Sequence, residues 1–101
     1  TQKARFERLL RDGRVKKVAG YTFYLESRDA GDPRLGLLVT RRHAARASDR
    51  NRIKRCVREA FRLEQGRLGA VDLLVRPPYG VKPSPLMIAR LRDIFATLSW
   101  A

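Results

Sequence analysis

The segment from Asp49 to Arg62 limits the possible folds of this chain more than any other stretch. Spaced at about 100° per residue, the period of an α-helix, its apolar and cationic side chains fall on opposite sides. The apolar side carries Ile53, Cys56, Val57, Ala60 and Phe61, and the other carries Asn51, Lys54, Arg55, Arg58 and Arg62. The segment therefore predicts a helix packed on a core, with Ser48 or Asp49 as its N-cap.

The cationic side of this helix differs from an ordinary solvated surface, which is the simpler interpretation. Glu59 is the only acid among six basic residues between Arg50 and Arg62. Opposite charges one helical turn apart stabilise a helix, whereas like charges, such as Lys54 and Arg58, repel. A polyanion would compensate for this repulsion, because arginine binds phosphate with two hydrogen bonds and stacks on bases.

The composition of the whole chain also indicates a nucleic-acid partner. Its 101 residues predict a single domain, residues 1–101, with one modest core. Lys and Arg number 23 against 10 acids, which gives a formal net charge of +13. That charge favours nucleic acid or an anionic membrane surface, but no apolar run approaches the ~20 residues of a membrane span. The single cysteine rules out an internal disulfide and favours a reducing compartment, so we expect a cytoplasmic protein.

Shorter patterns predict the elements of the N-terminal half. Residues 3–11 form an amphipathic helix that ends at Gly13. Residues 15–27 alternate apolar and polar side chains, the period of a half-buried strand. Residues 28–33 are rich in Asp, Gly and Pro and predict a hairpin turn into the next strand. That strand, residues 35–40, is almost continuously apolar, so we expect it at the centre of the sheet.

The C-terminal half completes the sheet and adds a helix. Gly66 and Gly69 are expected to end the long helix, and residues 70–76 form another strand. A helix that connects two strands of one sheet implies a parallel pair. Ser84 and Pro85 suit the N-cap and first turn of a last helix. The predicted fold is an α/β sandwich of the α+β class, with two or three strands before the long helix and all strands in one sheet.

No arrangement of residues predicts catalysis by side chains. His43 is the only histidine, so it cannot anchor a metal site or a triad, and we expect it on the basic surface. Cys56 lies on the predicted buried stripe, where a thiol is normally inert. A metal or thiol enzyme would depend on these two residues. The basic surface continues into Arg41, Arg42 and Arg46, and this breadth favours RNA over DNA, which is read by a few side chains on a compact helical domain.

The segment Arg50-Asn51-Arg52-Ile53-Lys54-Arg55 resembles the Arg-Asn-Arg-x-Lys-Arg signature of the bacterial ribonuclease P protein subunit family. Residues 36–42 resemble that family's strand ending in Ser-Lys-Lys, and Phe6 with Gly13 is similar to its N-terminal helix and closing glycine. The resemblance implies the order α-β-β-β-α-β-α. It also implies a four-stranded, mostly antiparallel sheet with one parallel pair and a left-handed β-α-β crossover.

The resemblance also implies a function. The chain would be the protein subunit of a ribonucleoprotein that removes the 5′ leader from precursor tRNA, with the chemistry done by its RNA subunit and Mg²⁺. The protein would contribute no catalytic side chain and no metal site. The side chains matching the family's RNA-subunit contacts are Arg50, Asn51, Arg52, Lys54, Arg55 and Arg58, and the charge pattern adds Arg62, Arg41, Arg42 and Arg46. The leader would lie in a cleft lined by Phe6, Tyr24 and Leu10, with Leu10 where the family often has a second aromatic residue.

A ribosomal or other structural RNA-binding protein without a role in cleavage is the alternative. It would account for the charge and for the basic helix, but not for the order of the motifs along the chain. Neither interpretation involves a membrane or an obligate protein partner.

Overall fold

The computed structural model describes residues 2–98, which form three helices and four strands. In chain order these are α1 (Gln2–Asp12), β1 (Arg14–Val18), β2 (Tyr21–Ser27), β3 (Arg34–Leu37), α2 (Ala47–Leu68), β4 (Val71–Arg76) and α3 (Pro85–Thr97). The strands form one sheet in the order β1-β2-β4-β3, in which only β3 and β4 are parallel. The predicted element order and mixed sheet are confirmed, while the hand of the crossover stays a prediction.

The main core lies between one face of the sheet and the helices α2 and α3. Every second residue of β2 and β4 points into it, as expected for strands with a period of two. Its buried members include Phe23, Leu25, Leu73, Val75, Ile53, Val57, Ala60, Leu91 and Phe95. Cys56 and Phe61 pack at its margin and are half-buried. The apolar stripe predicted for the long helix is therefore confirmed, and the buried side of the helix continues to Glu64 and Leu68.

A hairpin divides the segment that was predicted as one strand, residues 15–27. β1 and β2 pair from Arg14–Leu25 to Val18–Tyr21, and Ala19 and Gly20 form the turn between them. Both turn residues have positive φ, 51° and 84°, the backbone that a tight two-residue hairpin requires. Alanine rarely adopts this conformation, and for that reason the sequence did not predict the turn.

The hairpin predicted at residues 28–33 is wrong. β4 lies between β2 and β3, so the segment connects strands that are not neighbours. Val71 to Val75 are all buried, as expected for a strand at this central place. The apolar residues of β3 are explained by cover on both faces, from α1 and from the core, although the strand lies at the edge and not at the expected centre.

The boundaries of α2 also differ from those predicted. The helix begins at Ala47 with Arg46 as its N-cap, and no side chain makes a cap hydrogen bond, so Ser48 and Asp49 lie inside the first turn. At the other end, Gly66 does not break the helix. The helix continues because Leu68 is buried in the core, and it stops at Gly69, whose φ is 69°.

The caps of the other two helices agree with the sequence. The Ser84 hydroxyl accepts a hydrogen bond from the Met87 amide, and Pro85 occupies the first turn of α3. Gly13 follows α1, where its amide donates to the Leu9 carbonyl. A Cβ at Gly13 would lie only 2.6 Å from the Leu9 oxygen, so close packing explains this glycine. Between residues 2 and 98, no helix has the length and apolarity needed to cross a membrane.

Candidate nucleic-acid interface

The outer side of α2 is a cationic surface that has few partners within the protein. Arg52, Arg55 and Arg58 are exposed, as is Asn51, and Lys54 is half-buried. None of these five residues makes an ion pair or a side-chain hydrogen bond with another residue of the described range 2–98. The four charges and the Asn51 amide are therefore available to an external anion.

Arg50 differs from the other predicted contact residues of α2. It is half-buried, and its Nη1 donates to the carbonyl oxygens of Ala44 and Ala45 at 3.0 and 2.9 Å. These bonds tie the loop between β3 and α2 to the first turn of the helix. The guanidinium thus shapes the loop that carries Arg42 and Arg46.

Arg62 lies at the far end of the cationic surface and is partly neutralised. Its Nε and Nη2 donate to the two carboxylate oxygens of Glu59 at 3.0 and 2.6 Å. This hydrogen-bonded pair lowers the pKa of Glu59 and raises that of Arg62. Because the pair is exposed, it contributes little to stability. Arg62 therefore offers less net charge to a polyanion than Arg58 does.

Two shallow grooves separate this surface from the start of α3. One has a volume of ≈ 430 Å³ and is lined by Arg55, Cys56, Arg58, Glu59, Arg62 and Ile88. The other, ≈ 300 Å³, is lined by Arg52, Arg55, Cys56, Pro83, Ser84, Pro85 and Ile88. Cys56 is half-buried, with its thiol 3.8 Å from the Ser84 carbonyl. The grooves combine arginine with an apolar floor, a surface that can hold both a phosphate and the edge of a sugar or base.

The loop between β3 and α2 presents Arg41, Arg42 and Arg46 to solvent. Its shape depends on His43, whose ring is buried with 3% exposed. The His43 Nδ1 accepts a hydrogen bond from the Thr40 amide at 2.9 Å, which assigns the ring proton to Nε2. The expectation that His43 lies on the basic surface is therefore wrong.

The surroundings of His43 keep its ring neutral. Burial lowers its pKa most strongly, and the charges of Arg76 and Arg42 lower it further. His43 is therefore a structural residue of the loop, and the exposed cations of the loop, Arg41, Arg42 and Arg46, form its basic surface.

Tyr79 is an exposed aromatic residue that the sequence did not single out as a site residue. Its ring is 55% exposed and lies 4.7 Å from the His43 ring, measured between centroids. The Arg42 guanidinium carbon is 5.0 Å from the Tyr79 centroid. The only sequence signal is an aromatic residue in the proline- and glycine-rich segment after β4, and that segment joins the basic loop only in the folded chain.

The opposite face of the sheet forms a cleft with α1. Gly36 of β3 faces α1, and a Cβ there would lie 2.5 Å from the Phe6 ring. Phe6 is half-buried against this glycine, while Leu10 is 43% exposed. Tyr24 pairs with Leu74, which pairs with Gly36, so all three lie on the cleft face. The predicted leader-binding residues thus border one face of the sheet, and their role stays a prediction.

A cluster of arginines around one buried acid closes one end of this cleft. Asp72 is 3% exposed, and the Nε of Arg28 lies 3.0 Å from its Oδ1. The Nε atoms of Arg5 and Arg34 each lie 3.9 Å from an Asp72 oxygen. These residues, with Ala4 and Arg8, line a cavity of ≈ 430 Å³. In the sequence, Asp72 is visible only as an acid within an apolar strand. The arginines that surround it come from three other parts of the chain.

The described residues bring together no group of three or more His, Cys, Asp or Glu side chains that could hold a metal ion.

Comparison with known proteins identifies close relatives. The family model described as Ribonuclease P matches residues 1–97. The chain is 40% identical to the ribonuclease P protein component of Nitrosococcus oceani over 80 residues, 79% of this chain and 67% of the relative. It is 36% identical to that of Thioalkalivibrio sulfidiphilus over 101 residues, 98% of this chain and 84% of the relative.

Solved structures share the fold. An RNase P protein variant from Staphylococcus aureus superposes with a TM-score of 0.79 at 25% identity, covering 94% of this chain and 81% of that one. The RNase P protein from Thermotoga maritima superposes with a TM-score of 0.70 at 23% identity, covering 98% of this chain and 81% of that one.

Proposed function

This chain belongs to the ribonuclease P protein family, and from that membership we propose that it is the protein cofactor of a tRNA-processing ribonucleoprotein. It binds the catalytic RNA subunit and the 5′ leader of precursor tRNA, and it promotes Mg²⁺-dependent removal of the leader in the cytoplasm. The carrying observation is the cationic side of α2, where Asn51, Arg52, Lys54, Arg55 and Arg58 have no partner among residues 2–98.

The α2 surface is the proposed contact with the RNA subunit. Its arginines bind phosphates, and Arg41, Arg42 and Arg46 continue the same charge along the loop. Cations placed between two crowded RNAs reduce their mutual repulsion and raise the affinity of both. Arg50 acts mainly by fixing the loop, and Arg62 contributes less because Glu59 is its partner.

The cleft beneath α1 is the proposed leader site. Phe6 and Tyr24 offer rings to unpaired bases, and stacking tolerates a variable sequence because every base has a π-face. Leu10 adds exposed apolar surface at its border. Four guanidiniums, from Arg5, Arg8, Arg28 and Arg34, face the carboxylates of Asp72 and Glu26 at one end of the cleft, which leaves a positive surplus for leader phosphates.

Chemistry is assigned to the RNA subunit. Hydrolysis of a phosphodiester requires metal ions and positioning more than side-chain bases. The described part of this protein has no group of three or more His, Cys, Asp or Glu side chains that could hold a metal ion. In this proposal the RNA holds the Mg²⁺. The protein binds the RNA subunit and the leader, holds the leader in position and neutralises part of the phosphate charge.

The decisive experiment is cleavage of a precursor tRNA by bacterial ribonuclease P RNA at low Mg²⁺, with and without this protein. The proposal expects faster cleavage at the correct 5′ end with the protein, and no cleavage by the protein without the RNA. Binding of the RNA with no change in cleavage would instead support a structural RNA-binding protein.

A further inference from the structure

Tyr79 exposes an aromatic ring on the basic surface. A ring that is 55% exposed gives up much of the stabilisation that its burial would provide. The segment that carries it is nevertheless held in place: Gly80 donates its amide hydrogen to the His43 carbonyl at 3.3 Å, and Pro77 and Pro78 restrict the backbone before it. The ring is therefore exposed on a segment whose backbone is held in place.

The cation beside Tyr79 is also available for binding. Arg42 places its guanidinium 5.0 Å from the ring centroid, a cation–π distance. Across residues 2–98, Arg42 makes no ion pair with a carboxylate, and its side chain is exposed. In RNA complexes unpaired bases stack on aromatic rings and on guanidinium planes, and here the guanidinium lies over the ring.

We propose that Tyr79 and Arg42 form a stacking site for one unpaired base of the RNA subunit, with the Arg42 guanidinium bonded to an adjoining phosphate. The proposal rests on the proposed function, because the base belongs to the RNA that the α2 surface contacts. Arg42 is in the loop that leads into α2, so the site extends that surface towards the segment between β4 and α3.

His43 gives the site its geometry. Its buried ring lies 4.7 Å from the Tyr79 ring at an angle of 49° and supports the aromatic residue from inside the loop. Its neutral state, favoured by burial, avoids placing a further cation under the stack. A purely structural role for Tyr79, as a cover over His43, is the alternative that an experiment must separate.

The experiment measures the affinity of the labelled bacterial RNA subunit for four proteins over a range of salt concentrations. These are the wild type and the variants Tyr79→Ala, Tyr79→Leu and Tyr79→Phe. Loss of one stacked base is expected to weaken binding by roughly 5- to 150-fold for Ala and Leu, with the salt slope unchanged because no charge is removed. Tyr79→Phe keeps the ring and should bind like the wild type.

Leucine is the matched control, because it still covers His43 but has no aromatic face. Recovery of wild-type affinity with Tyr79→Leu would show that Tyr79 only covers His43, and it would overturn the stacking site. Equal affinity of all four proteins would overturn it too, and so would a Tyr79→Phe defect as large as that of Tyr79→Ala, because the effect would then belong to the hydroxyl group and not to the ring. If the wild type itself fails to bind the RNA subunit, the proposed function fails, a result distinct from the others.

Discussion

At the scale of single residues, Gly36 leaves the space that the Phe6 ring occupies. A Cβ on residue 36 would lie 2.5 Å from two carbons of that ring, inside van der Waals contact. We expect Gly36→Ala to force the ring out of its position and to lower the free energy of unfolding by about 1–3 kcal/mol, as overpacking commonly does. Urea denaturation measures this cost.

The control for Gly36 is a double-mutant cycle with Phe6. In a Phe6→Ala background the same Gly36→Ala change meets no ring, so its cost should fall to a small fraction of the wild-type value. An equal cost in both backgrounds would show that the strain lies in the β3 backbone and not at the ring.

His43 should make stability depend on pH. Its pKa is lowered in the folded protein, so the unfolded chain binds a proton more readily. The stabilisation is complete above the unfolded pKa of about 6.5 and is lost as pH falls below it. Urea denaturation at pH 7.5 and 5.5 should therefore give a smaller unfolding free energy at pH 5.5.

His43→Asn is the matched variant for this pH effect, because the amide oxygen can accept the Thr40 hydrogen bond without titrating. The chain has no other histidine, so the variant should lose most of the difference between pH 7.5 and 5.5. A difference that persists in full would assign the effect to other groups.

At the scale of elements, sequence periodicity predicted those features that depend on neighbours within one helix or strand. The stripe from Ile53 to Phe61 defined α2, and Ser84 with Pro85 defined the start of α3. The insertion of β4 between β2 and β3 is a pairing of distant segments, and no local pattern encodes it.

The candidate site shows the same division between local and distant information. The basic residues of α2 were predictable because they share one helical face. The ring of His43 lies against Tyr79, and Asp72 lies beside Arg5, Arg28 and Arg34; both groups are brought together only by the tertiary fold.

The C-terminal end of α2 allows a test at the element scale. Gly66 lies within the helix, and a Cβ added there would have no neighbour within 4 Å. Gly66→Ala should stabilise the protein by about 0.5–1 kcal/mol, because glycine is a poor helix residue. The urea midpoint measures the gain.

Gly69→Ala is the control for this test, since a Cβ at Gly69 also has no neighbour within 4 Å. Its backbone, with φ 69° and ψ −161°, lies in a region that is open almost only to glycine. The substitution should destabilise the protein by about 1–3 kcal/mol. A destabilising Gly66→Ala would mean that the helix ends before residue 66.

At the scale of the whole molecule, the sheet separates two candidate RNA surfaces. α1 covers one face of the sheet and forms the cleft with it, while α2 and α3 cover the other face and α2 turns its cations outward. Substitutions on α2 can therefore change contact with the RNA subunit without changing the cleft. The net charge of +13 adds an attraction to any RNA, which has to be distinguished from contacts at defined positions.

The double variant Arg52→Ala plus Arg55→Ala separates these two contributions. Both side chains are exposed, and neither has an ion-pair partner among residues 2–98, so we expect the fold to be retained and affinity for the RNA subunit to fall. Each lost phosphate contact should also lower the dependence of log affinity on log salt by about 0.7–0.9. Filter binding of the RNA subunit over a series of salt concentrations measures both quantities.

Lys3→Ala plus Lys17→Ala is the matched control, because it removes the same charge from exposed positions on α1 and β1 that have no ion-pair partner among residues 2–98. With the RNA subunit as the only ligand, this variant should keep nearly the wild-type affinity and slope. If both double variants weaken binding equally, the attraction comes from net charge and the α2 surface has no special place in it. If only the α2 variant loses affinity and slope, the phosphates of the RNA subunit lie against α2.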